Sequence, residues 1–528
     1  MELFSLAMLL FLALCLFACY VAAPRIPALK GRRYLLLLAA SLLWYGVCAG
    51  PCLIFPVLNT VILYFGGKRL EEIADEGKAK RKEAPDKEAR KAIREATRSR
   101  RKRILILCLL LLLLPLLFFK YLPKPDTFSL LLPLGISFYT FTSISYLADI
   151  HGDRIRAERS FLKLLLYVVW FPALLQGPIG RYEALSETLY AEKDFDRERA
   201  RQALLLFLFG AAKKYAMADM LARHISIVLD EGIAEVPGFA ILFSILLYSA
   251  WQYADFSGGI DMVLGISGLF GVELAPNFRR PYFAVSLGDF WRRWHISLGA
   301  FMRDYVFYPL ALTKPMQRLG KWAAKISPHA GRVVPACIAN IAVFAIVGIW
   351  HGPQAHFLAW GLYNGLVIAL SDLLAPLFAA AASRLPVRPG EKTAHVMRIL
   401  RTVVIVNIGW YFDRLEKVGE AFLALFRTVF SFSFSSSLAF LKTQYLVAEG
   451  DAFSSAGSFL VAGICLIVVF ANSLLEERNA QKGSGPLPIR DISRKPVLFS
   501  AAAFCLLLLT LLSFVFSEGA GGFFYANF

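Results

Sequence analysis

Long runs of apolar side chains dominate the chain: residues 104–119, 333–349, 459–471 and 497–516 contain no charged residue. Such runs approach or reach the roughly 20 residues that carry a helix across a bilayer. Residues 1–22 form another apolar stretch. Glu2 stands where a secretory leader carries basic residues, so the segment is expected to be a retained first helix. Two further stretches, 128–150 and 299–312, place Pro, Gly or charged residues where a lipid-facing helix would not, which fits re-entrant or short tilted helices. The pattern predicts an all-α polytopic membrane protein with roughly 11–13 transmembrane and re-entrant helices. No inverted repeat of the transporter kind is evident.

Composition agrees with this reading. The 528 residues are 57% hydrophobic and 18% charged, which excludes a disordered chain and argues against an ordinary soluble enzyme. The formal net charge of +18 matches basic loops on the cytoplasmic side better than nucleic-acid binding, which is not expected. Residues 68–103 are the one long, strongly charged stretch, including the cluster Arg100-Arg101-Lys102-Arg103, and are expected to form a solvated helical hairpin or loop in the cytoplasm. Lys30, Arg32 and Arg33 place the end of the first helix inside, and Arg490, Arg494 and Lys495 do the same before the last span. Both termini are therefore expected outside. The eight cysteines are scattered through apolar sequence without a CxxC pair, so neither a disulfide framework nor a metal site is expected.

Against this background one stretch is unusual: Phe290-Trp291-Arg292-Arg293-Trp294-His295-Ile296-Ser297-Leu298, followed by Arg303-Asp304-Tyr305. Ionisable groups at membrane depth are costly and persist where they face a wet cavity or a partner. A second histidine, His351, lies in the apolar sequence Val347-Gly348-Ile349-Trp350-His351-Gly352. Two Trp-flanked histidines point to an intramembrane reaction site. Histidine suits such a site because it can take a hydroxyl proton near neutral pH, and burial keeps its ring neutral. Each histidine also has a structural reading, as a hydrogen-bonded group holding a helix or a re-entrant turn. Arg292 and Arg293 have two readings as well: paired N–H donors for the phosphates of a ligand, or ordinary positive-inside anchors. Asp304 and Tyr305 are candidates for a polar network holding the element. Asp255, Ser257 and Asp261 read as structural groups around unwound backbone at Gly258-Gly259, with a transporter's cation site as the alternative.

These segments, with Leu132-Pro133-Leu134-Gly135, Gly177-Pro178-Ile179-Gly180, Asn277-Phe278 and Pro281-Tyr282, resemble the membrane-bound O-acyltransferase family. The similarity is to its bacterial branch of alginate O-acetylation and teichoic-acid D-alanylation proteins. The resemblance implies helices around a central funnel or channel. It implies His351 as a catalytic residue and His295 as a second functional histidine that orients the acyl carbonyl or the donor. Arg292 and Arg293, with Trp291 and Trp294 beside them, form the expected donor site. The implied donor is acetyl-CoA or another acyl thioester, with no metal. The implied acceptor is an exported polysaccharide, reached through an extracytoplasmic or membrane-anchored acetyltransferase partner. Beyond these, membrane lipids are the only other partners expected. The tail Phe523-Phe524-Tyr525-Ala526-Asn527-Phe528 fits the aromatic ending of this branch. It makes Tyr525 either an acyl relay or an interfacial aromatic anchor. Asp413 interrupts the aromatic-Phe-Arg pattern expected near residue 412.

The expected organisation is N-terminal helices over 1–66, a basic cytoplasmic loop over 67–103, a catalytic core over 104–440, and C-terminal helices with an extracytoplasmic tail over 441–528. The expected activity is membrane O-acyl transfer, most simply of acetyl, in a multi-pass protein of a bacterial cytoplasmic membrane. A secondary transporter or flippase moving an intact substrate is the rival.

Overall fold

Apolar runs that cannot satisfy their backbone in lipid except as helices are helices here. The computed structural model describes residues 5–122, 133–230, 232–384, 390–447, 452–481 and 488–516, and among them there is no strand. Seven helical segments are long and apolar enough to cross a membrane, or eight if the bent pair Ala355–Leu373 and Ala375–Ser383 counts as one. That is fewer than the 11–13 expected when re-entrant elements were included. Shorter or more polar helices make up the rest. Ile136–His151 has only 16 residues, and Glu391–Arg414 carries charges at both ends. The first segment, Leu6–Arg25, is a candidate span.

The chain divides into two compact units. The first comprises the described residues up to 207 and 262–275, and its main feature is the basic segment, which is a helical hairpin. Helix Ile54–Glu83 continues the apolar run into the charged region, and helix Lys87–Tyr121 returns after a break capped by Asp86, which accepts the Ala89 amide at 2.7 Å. Two glycines allow the close approach. A Cβ at Gly77 would collide with the Thr97 side chain, and one at Gly66 would meet Cys108 Sγ at 2.7 Å. Charge pairs then tie the hairpin down. Buried Glu71 accepts Arg156 and Arg159, each at 2.8 Å, while Arg101 donates to the Ile150 carbonyl at 2.7 Å and pairs with Asp153 at 3.1 Å.

The second unit comprises residues 208–261 and the described residues from 276 to 516, and holds both histidine elements. Helix Gly238–Leu269 runs unbroken through Gly258 and Gly259, so the expected unwinding is absent. Gly258 is there for proximity instead: a Cβ would sit 2.8 Å from the Gly210 carbonyl and 3.0 Å from the Lys214 amide. The groups facing Asp255, Ser257 and Asp261 are lysines. Lys213 reaches Ser257 Oγ at 2.9 Å and Asp261 at 2.5 Å, and Lys214 bridges Asp255 at 2.7 Å and Asp219 at 2.8 Å. Both lysines are buried in a π-helical turn, Ala212–Asp219. Their ion pairs neutralise the acids and hold two helices together, which is the structural role expected, by a different device.

Candidate active site

The Trp-Arg-Arg-Trp-His sequence is two short helices meeting at a histidine. Ser286 and Asp289 start the first by reciprocal capping: Ser286 Oγ accepts the Asp289 amide at 3.1 Å, and Asp289 accepts the Val285 amide at 3.2 Å. Helix Leu287–Arg293 ends at Trp294, and helix Ile296–Met302 begins just beyond His295. His295 itself takes φ 46°, a left-handed conformation that non-glycine residues rarely adopt. A neighbouring segment braces this break, with the Ile296 amide donating to the Asn277 carbonyl and the Arg279 amide to the Arg293 carbonyl, each at 2.9 Å.

Asn277 contributes more than its backbone. Its side-chain oxygen accepts the Ser297 amide at 2.9 Å, the Ser297 hydroxyl at 2.9 Å and His295 Nδ1 at 3.2 Å. A backbone amide can only donate, so the atom it meets must be the carboxamide oxygen. His295 Nδ1 then carries the proton, and Nε2 is the basic nitrogen. The ring is buried, 4.8 Å from Phe256 in an edge-on packing. Burial lowers its pKa to about 3, so it is neutral at physiological pH. This tautomer leaves Nε2 as the nitrogen that accepts a hydrogen bond or a proton.

The two expected donor-site arginines part company. Arg293 is held between Asp289 at 3.2 Å and Glu477 at 3.1 Å, and Glu477 also takes Arg280 at 3.2 Å. Arg292 points outward, 72% exposed, with only a 3.4 Å contact to Asp289. Arg303 and Asp304 pair with each other at 2.8 Å. Of the pair, only Arg292 presents its guanidinium to an incoming anion.

His351 is the last residue of helix Pro328–His351 and is buried. The following helix, Ala355–Leu373, folds back along it through glycines: a Cβ at Gly348 would collide with the Phe357 carbonyl, and one at Gly361 with the Phe344 carbonyl. This tight hairpin surrounds the imidazole with Trp350 at 5.0 Å, Trp360 at 5.1 Å and Phe357 at 5.8 Å between ring centroids.

The two histidine elements share an aromatic wall. Trp360 lies 5.1 Å from His351 and 5.5 Å from Trp291. Trp291 donates its indole N–H to Asn364 at 3.1 Å, packs on Phe290 at 5.3 Å, and Phe290 stacks on Trp294 at 5.4 Å, next to His295. His351, Trp291, Trp294 and His295 thus belong to one constellation. Asn277, Trp360, Asn364 and Glu477 complete it without having been singled out for a role in the sequence. Asn277 was visible only as part of a motif, and nothing in the spacing of the others marks them. Asp413 is buried and accepts the Tyr248 hydroxyl at 2.7 Å; Tyr248 stacks on Trp251 at 5.3 Å. Tyr525 lies outside the described residues. Among the described residues no group of three or more His, Cys, Asp or Glu side chains converges as metal ligands would.

Comparison with known proteins adds a family. Residues 107–326 match the model of the membrane-bound O-acyltransferase family, a segment that contains His295 and ends before His351. The chain is 30% identical over 294 residues to the probable alginate O-acetylase AlgI of Pseudomonas syringae pv. tomato, covering 55% of this chain and 50% of the relative. It is 29% identical over 329 residues to the peptidoglycan O-acetyltransferase of Helicobacter pylori, covering 57% of each. To the teichoic acid D-alanyltransferase of Bacillus subtilis it is 23% identical over 292 residues, covering 55% of this chain and 70% of the relative. The chain spans about half the length of the alginate relatives it matches.

Proposed function

From the match of residues 107–326 to the membrane-bound O-acyltransferase family, we propose that the protein transfers an acyl group, in the simplest case acetyl, for O-acylation of an extracytoplasmic polysaccharide. The donor in this reading is a cytoplasmic thioester such as acetyl-CoA. The observation that carries it is the pair of buried histidines on two elements joined by a chain of aromatic rings, Trp360–Trp291–Phe290–Trp294. A hydroxyl oxygen attacks the thioester carbonyl carbon while His351 takes the hydroxyl proton. The tetrahedral adduct collapses, the C–S bond breaks, and the leaving thiolate recovers the proton from the imidazolium. Arg292, outward and weakly paired, is the residue of this element suited to meet the donor's phosphates. Arg293 acts through Glu477 to hold the element in place.

A relay through Tyr525 makes two transfers out of one: thioester to phenol, then phenol to an acceptor carried by an extracytoplasmic acetyltransferase. Each transfer needs a proton acceptor, and the site has two. His351 serves the first and His295, through Nε2, the second. The topology that goes with this has both termini outside and the basic hairpin in the cytoplasm of a bacterial inner membrane.

The test is covalent chemistry. Protein reconstituted in vesicles and given radiolabelled acetyl-CoA should release free CoA, and His351→Ala should stop the release. Transport of the intact thioester without CoA release would replace the enzyme with a transporter. Replacing Tyr525 by Phe should abolish the relay; full activity in that variant would leave direct transfer to the acceptor.

A further inference from the structure

Helix Lys314–Ala323 plays no part in the reactions above, yet its side chains are sorted with unusual regularity. Lys314, Arg318 and Lys321 recur at helical spacing along one face, and Lys325, in the turn that follows, extends the stripe. All four are exposed, and among the described residues none has an ion-pair partner. No acid is within reach in sequence either, because the chain from Tyr305 to Ser371 contains no Asp or Glu. The opposite face is fully engaged. Ala323 is completely buried, and a Cβ at Gly320 would meet the Gly331 carbonyl at 3.0 Å, which presses this helix against the start of the Pro328–His351 helix. Between the two faces lies an apolar flank: Trp322 is 58% exposed and Ile326 71%.

Where this helix sits says what covers it. Ser327 caps the next helix by accepting the Ala330 amide at 3.0 Å, and that helix is a candidate membrane span. The amphipathic helix therefore ends within a few residues of the point where the chain enters the apolar layer. A tryptophan and an isoleucine beside an uncompensated basic stripe, at that depth, match the boundary between acyl chains and headgroups. We propose that residues 314–326 form a docking surface for anionic phospholipid headgroups. Trp322 and Ile326 lie among the upper acyl carbons, and Lys314, Arg318, Lys321 and Lys325 meet the phosphates of the cytoplasmic leaflet. An acidic soluble protein could satisfy the charges, but it would leave Trp322 and Ile326 out of lipid.

The intact protein in nanodiscs containing brominated phosphatidylglycerol or brominated phosphatidylcholine, at equal mole fraction, tests this. The signal of Trp322 is the difference between the wild type and Trp322→Phe. Quenching of that signal should favour the anionic lipid about fivefold, the enrichment given by the attraction of even one basic residue at the surface. The combined variant Lys314→Gln, Arg318→Gln, Lys321→Gln and Lys325→Gln, all at exposed positions, should quench equally with both lipids. Equal quenching in the wild type, or an anionic preference that survives in the combined variant, overturns the proposal. Quenching by neither lipid also overturns it and reassigns the stripe to a soluble acidic partner.

Discussion

Asn277 holds His295 by the same carboxamide oxygen that accepts the Ser297 amide, and this shared atom fixes which imidazole nitrogen is basic. Replacing Asn277 with Asp keeps an acceptor at that point but adds a negative charge, which favours the imidazolium. If the reaction needs neutral His295, the acid-side midpoint of the pH–rate profile should move up by about one unit or more. Asn277→Ala should lower the rate without such a shift. An unchanged midpoint in Asn277→Asp would reduce Asn277 to a purely structural brace.

The two neighbouring arginines should respond differently. Arg292→Ala removes an exposed guanidinium and should raise KM for the acyl donor about tenfold, with kcat and folded yield little changed. Arg293→Ala leaves Glu477 with one partner fewer at a partly buried site and should lower the thermal midpoint, as should Glu477→Gln. Steady-state kinetics beside thermal unfolding in detergent separate the two patterns. Equal KM effects at both positions would count against the division of roles.

Lys213 pairs with Asp261 where neither can be left alone. Lys213→Met should destabilise the second unit by about 3–5 kcal/mol, because it leaves a carboxylate in an apolar setting. Adding Asp261→Asn to that variant should recover part of the loss. Calorimetric or fluorescence unfolding of the two variants gives the comparison. No loss in Lys213→Met would mean that water, not Lys213, stabilises Asp261.

Much of the fold was legible because its signals are long. Runs such as 104–119 and 497–516 specify helices by composition alone, and the alternating acids and bases of 68–103 read correctly as a solvated hairpin or loop. The site was legible only in part. His295 and His351 stand out because ionisable groups are conspicuous in apolar sequence. Their shared surroundings do not, since Trp360 and Asn364 look like any aromatic and amide in a helix. The Gly258-Gly259 pair was misread as a place of unwinding because glycine signals both broken backbone and close packing. Only the facing Lys213 and Lys214, some forty residues earlier, decide between them.

Asp413 should leave a mark on stability. Burial raises its carboxyl pKa to about 6, against an ordinary value of 3.8. The folded protein therefore binds a proton more tightly than the unfolded chain between those values. Its contribution is fully present below the unfolded pKa and is lost as pH rises through 6. The thermal midpoint should rise as pH falls from 7 towards 4.5, and Asp413→Asn should flatten that rise. Identical slopes in the two proteins would show that other groups carry the dependence.

The aromatic chain from Trp360 through Trp291 and Phe290 to Trp294 couples the element that ends at His351 to the one that breaks at His295. A substitution at either one disturbs packing that reaches the other's element, so the effects of His351→Ala and His295→Ala cannot simply be summed. Removing both should cost little more than removing the worse of the two, and a pair of single-site losses would overstate how many separate tasks the site performs.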